Sequence, residues 1–118
     1  MTTRAEAAEI LAADLINEGV GATVYAHPPA PTQAQMPHVA VLYQGSTDTE
    51  FEFEIHVLMN ASQPTARQAY ATFLDLVQRV DEALDASGWG PPGDSGQYAA
   101  QIDAWATVFR IRFPRDDF

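Results

Sequence analysis

The chain contains no cysteine and no lysine. The first absence excludes disulfide frameworks, zinc–thiolate sites and cysteine nucleophiles together. The second leaves arginine as the only base, and 6 arginines against 16 acids give a formal net charge of −10. A balance of that sign lacks the basic patches that displace counterions from nucleic acid. It does not exclude a surface that DNA passes without sticking, and the commoner role of such an acid excess is to keep a small protein soluble. No apolar run approaches the roughly 20 residues of a membrane span. Glu6 and Glu9 stand where a secretory signal needs an apolar core. The expectation is a soluble protein made in a cytoplasm. There is no Gly-x-Ser-x-Gly elbow, no Gly-x-x-x-x-Gly-Lys loop and no His-x-x-x-His pair. No catalytic, cofactor-binding or metal residue is therefore assigned, and the chain reads as a non-enzyme.

What is present is periodicity. At 118 residues and 47% apolar content the chain can bury one real core, so residues 1–118 read as a single domain. Its most informative stretch is Glu50–Asn60, where Phe51, Phe53, Ile55 and Val57 alternate with Glu50, Glu52, Glu54 and His56. A period of two belongs to a β-strand with one buried and one polar face. A helix, at 3.6 residues per turn, would scatter both sets around its circumference. Residues 38–43 form the preceding strand and residues 44–49 the turn between them. Pairing Tyr43 with Phe51, Val41 with Phe53 and Val39 with Ile55 sets apolar against apolar, whereas a slip of one residue sets Val41 against Glu52. The same register brings His38 beside His56 with Glu54 nearby. Solvated strand histidines are the reading taken; a metal site is the alternative.

Two helices flank this hairpin. Thr3-Arg4-Ala5-Glu6 fits a capping box. It opens a helix over residues 3–18 with Ala8, Leu11, Ala12 and Leu15 on one face, and Gly19 stops it. Ser62 or Thr65 caps a second helix of about 20 residues, with Pro64 tolerated in its first turn. Its apolar stripe is Ala66, Tyr70, Phe73, Val77, Val80 and Leu84, thickened by Ala69, Leu74 and Leu76, and Ser87-Gly88 closes it.

The remaining segments are a short strand, two loops and a final strand. Residues 22–27 read as the short strand. The four prolines in residues 28–37 make an extended stretch. That stretch is either a stiff connector or a preorganised arm that lays Pro29 and Pro31 on a partner. Residues 88–96 read as a flexible loop whose Trp89 either tucks back onto the domain or anchors a partner. From residue 105 the chain alternates again: Trp105, Thr107, Phe109, Ile111 and Phe113 on one side, Arg110 and Arg112 on the other. Pro114 stops this strand, and the tail beyond it reads as loose.

The order helix-strand-strand-strand-helix-strand predicts an α+β two-layer sandwich, a mixed four-stranded sheet with two helices on one face. A long helix crossing the sheet would bring the last strand back parallel to the third by a right-handed crossover. The other face then carries Glu50, Glu52 and Glu54 from one strand and Arg110 and Arg112 from another. Such rows either meet the rows of a neighbouring copy or, for the acids, line a channel.

The element order, the compact size, the Glu50–Asn60 strand leading through Pro64 into an amphipathic helix, and the closing Trp105-Ala-Thr-Val-Phe-Arg-Ile-Arg-Phe113 strand resemble the tail terminator proteins of long-tailed bacteriophages. The resemblance spans nearly the whole chain and is one of pattern. It implies a homo-oligomer, a hexameric ring, that caps the tail tube when elongation stops. The implied partners are the major tail tube protein on one side and the head-closure (stopper) protein on the other. Genome DNA passes down the channel without sequence-specific binding. No cofactor, no membrane and no chemistry are implied, and the location is the virion tail or neck after assembly in the host cytoplasm. Two other readings stand beside it: a different neck or tail-completion protein, and a small-ligand-binding α+β module.

Overall fold

The computed structural model describes residues 2–30, 37–61, 65–90, 94–99 and 104–115, with the backbone alone over residues 94–99. Helix α1 (Arg4–Asn17) begins at the expected box. The Glu6 amide donates to Thr3 Oγ1 at 3.1 Å, and the Thr3 amide donates to Glu6 Oε1 at 3.1 Å. It ends where Gly19 takes φ +69°, a left-handed conformation that glycine adopts without Cβ strain. Ala7, Ala8, Leu11, Ala12 and Leu15 are its buried face. Thr3→Ala orphans the Glu6 amide and is expected to cost about 1 kcal/mol, read as a lower urea midpoint at unchanged slope.

Helix α2 (Ala66–Ala86) is capped by Thr65, whose Oγ1 accepts from the Gln68 amide, and Gly88 ends it at φ +86°. Its buried stripe is Ala69, Phe73, Leu76, Val80, Ala83 and Leu84. Tyr70 and Leu74, expected in the stripe, are 45% and 47% exposed, so the inward face is narrower than the spacing predicts. The other cap candidate, Ser62, lies outside the described residues with Pro64, Pro31 and residues 116–118.

The sheet has the order β1-β2-β3-β5-β4, built from β1 (Thr23–Tyr25), β2 (His38–Ser46), β3 (Glu50–Asn60), β4 (Asp94–Ala99) and β5 (Ala104–Pro114). It is mixed, because β1 runs parallel to β2 while the other neighbours are antiparallel. The α+β class and the helix-strand-strand-strand-helix-strand frame are as the periodicities predict; β4 adds a fifth strand. That addition corrects the topology. The last strand is antiparallel to the third, not parallel. The strand parallel to β3 is β4, since both oppose β5, and β5 folds back into the gap between them. Residues 94–96 read as loop because Asp, Ser and Gly are poor strand formers; pairing along β5 overrides that preference.

The hairpin register also differs from expectation. Val39 faces Val57, Val41 faces Ile55 and Tyr43 faces Phe53, two residues further along β3. A shift of two preserves the faces, so the apolar pairing logic survives with different partners. The cause lies in β2, which continues to Ser46 through a bulge between Tyr43 and Gly45. Only residues 47–49 are left to turn, closed by the Thr47 amide on the Glu50 carbonyl at 2.8 Å.

One buried cluster joins both helices to one face of the sheet. It unites Leu11 and Leu15 of α1 and Phe73, Val80 and Leu84 of α2 with Val39, Val41, Phe53, Ile55, Val57, Phe109 and Ile111. Both helices therefore cover the same face, and Glu52, Glu54, Arg110 and Arg112 belong to the other.

Candidate functional site

The helix-free face divides into a closed end and an open end. At the closed end His38, Ala40 and Ala106 are buried. Tyr25 meets the His38 ring edge-on at 5.6 Å and the His27 ring at 5.7 Å. The register places His38 opposite Leu58 and His56 opposite Ala40, so the two histidines are not facing partners as the sequence register implied. His56 Nε2 instead lies 3.0 Å from Glu54 Oε1 on its own strand. Among the described residues no three His, Cys, Asp or Glu side chains are grouped to hold a metal ion.

The open end is a cleft of about 400 Å³ lined by Gln44, Glu52, Glu54, Arg110, Ile111 and Arg112. Here β3 and β5 set charges of opposite sign side by side: Glu52 opposite Arg112, and Glu54 opposite Arg110. Glu54 is the pivot. Its Oε1 meets His56, and its Oε2 lies 3.4 Å from Arg110 Nε. The Arg110 side chain is 81% exposed, so this pair stabilises the fold little. Glu50 stands opposite Pro114. The rows that the sequence places on separate strands are thus already neighbours within one chain.

Charge is unevenly divided between the two layers. Helices α1 and α2 carry seven acids against three arginines. The β3 and β5 rows carry Glu50, Glu52 and Glu54 against Arg110 and Arg112. The helices are thus net −4 and the two rows net −1; the remaining −5 comes from Glu18, Asp48, Asp94, Asp103, Asp116 and Asp117 against Arg115.

Trp89 takes the inward of its two expected places. Its ring stacks on Phe113 at 5.0 Å and 24°, and its Nε1 donates to Asp14 Oδ2 at 2.8 Å. It ties the exit of α2 to α1 and to β5, and stays half-buried. Pro29, also half-buried, follows β1 outside any helix or strand.

A polar knot at the hairpin end had no sequence signal. Arg4 Nε donates to the Tyr43 hydroxyl at 2.9 Å, and the Arg4 guanidinium lies 5.1 Å from the Phe51 ring centre. Arg115 lies at the same distance from that ring and donates to the Thr47 carbonyl at 2.9 Å, while its amide bonds Thr49. Arg115, read as part of a loose tail, is therefore tied down. The Ser46 hydroxyl and then the Arg4 guanidinium draw the Tyr43 phenol below its ordinary pKa, because both stabilise the phenolate. Only the folded register brings these residues together, across 39 positions for Arg4 and Tyr43 and 68 for Arg115 and Thr47.

Among the described residues no helix is long and apolar enough to cross a membrane. A scan against protein-family models finds no match for this chain, and a search of curated proteins finds none either.

Proposed function

We propose that this chain is a tail terminator of a long-tailed bacteriophage. Six copies would close a ring on the end of the tail tube, stop its elongation and join it to the head-closure protein. The reading rests on the resemblance in element order, and one observation carries it further. The helix layer is net −4, whereas on the opposite, helix-free face the β3 and β5 rows nearly cancel at −1. A ring needs that division: contact surfaces on which copies do not repel one another, and an acidic surface toward DNA. Six chains would carry roughly −60, a field that keeps phosphates from adhering to the channel. Contacts made head to tail close such a ring when the rotation between copies is right. In this reading the DNA-facing charge comes mainly from α1 and α2, because Glu52 and Glu54 already stand against arginines. The protein acts in the virion neck by position, without chemistry or cofactor.

Native mass spectrometry of the protein alone, and after mixing with tail tubes assembled without it, tests the proposal. The expected result is a ring of copies retained at the tube end. A strict monomer that carries a small ligand and ignores the tubes favours the ligand-binding module instead. Retention by neck proteins but not by tubes favours another position in the stack.

A further inference from the structure

We infer that the open half of the helix-free face is a self-association surface, on which two copies of this chain pack face to face about a two-fold axis running along the strands between β3 and β5. The argument is geometric. Glu52 and Arg112 stand at one height along the strands, and Glu54 and Arg110 at the next. They form two adjacent rows of opposite sign, about 4.8 Å apart as neighbouring strands are. A two-fold axis parallel to the strands and midway between the rows exchanges left for right and conserves height. It therefore sets the partner's Glu52 over Arg112, the partner's Glu54 over Arg110, and both arginines over glutamates in return. A two-fold axis perpendicular to the strands would set glutamates over glutamates. The pattern thus selects one arrangement as well as permitting contact.

Three further observations agree. The four side chains line an open cleft, and Arg110 is 81% exposed, so the surface is accessible. Sheets stacked face to face lie about 10 Å apart, a gap that glutamate and arginine side chains can span from both sides. On this face three glutamates stand with two arginines, so the rows meet a copy of themselves with little net charge. The pairing does not rest on the terminator reading: it is isologous and stops at two copies. Because it covers the near-neutral face that the proposed head-to-tail ring would use, it describes the free protein and must open before a ring closes. The patch is small, so the association is weak, rapid and salt-sensitive.

Sedimentation equilibrium of the full chain and three variants tests it, with far-UV circular dichroism confirming that each is folded. Glu52→Arg/Glu54→Arg makes both rows basic, and Arg110→Glu/Arg112→Glu makes both acidic; each is expected to be monomeric. An equimolar mixture of the two is expected to form mixed dimers. The four-site exchange restores opposite rows, so it is expected to pair with itself and not with the wild type. The wild-type dissociation constant is expected to rise about tenfold or more between ~50 mM and ~500 mM NaCl. The all-basic variant is decisive, because its two substitutions move the net charge from −10 by four units to −6. If overall repulsion governed association, that variant would associate more strongly than wild type, and the inference would be overturned. It is equally overturned if the wild type is monomeric at low salt and millimolar concentration, or if the two single-row variants do not combine. If a single-row variant does not fold, the four-site exchange decides, since it preserves both cross-strand pairs within the chain; its pairing freely with wild type would overturn the arrangement.

Discussion

Phe53→Ala is expected to lower the unfolding free energy by about 3–5 kcal/mol, the loss that accompanies removal of a ring from a closed core. Phe53 is 1% exposed and sits at the centre of β3, where both helices and both neighbouring strands meet the cluster. Neighbours on that many sides cannot collapse into the space, so a cavity term adds to the lost transfer energy. Domains of this size are stable by about 5–15 kcal/mol, so the variant would lose about a fifth or more of its margin. Chemical denaturation read by tryptophan fluorescence measures it, and Phe53→Leu, which keeps most of the volume, is expected to recover more than half of the loss.

Adjacent positions of the same strand should behave oppositely. Ile55 is 0% exposed and faces the helices. Ile55→Asp would bury a carboxylate with no partner, at a cost of several kcal/mol, and is expected to leave little folded protein at 25 °C. Glu54, one residue away, faces the cleft with Arg110 and His56. Glu54→Gln removes one charge from a solvent-screened pair and is expected to change stability by about 1 kcal/mol or less. Circular dichroism of the two variants side by side measures the two-faced character of β3 directly. Equal tolerance at both positions would contradict the layer arrangement.

The same strand shows how far the sequence can be read. Strict alternation over residues 50–57 was enough to assign β3 and its buried face, because a one-residue slip would expose every phenylalanine. Its partners were another matter. Gln44-Gly45-Ser46 has turn composition, yet the bulge after Tyr43 keeps it in β2 and moves the register by two. Composition also hid β4, which is stabilised by its ladder with β5 rather than by its own residues, and that strand changes where the chain returns. For the candidate site, the rows of glutamate and arginine were visible as rows. Their contact within one chain was not, because it depends on β5 lying antiparallel beside β3. Trp89 was ambiguous for a similar reason: its partners Asp14 and Phe113 are supplied by elements at opposite ends of the chain. The caps, by contrast, are local devices. Thr3, Thr65, Gly19 and Gly88 were legible because each acts within a few residues of itself.

The proposed role is tested most directly by electron microscopy of tails assembled with and without this protein. The account predicts that, without it, tubes run beyond their normal length or fail to join heads, and that adding the purified protein restores a capped end with six-fold density. Tails of normal length, joined to heads and carrying no density for this chain, would contradict it.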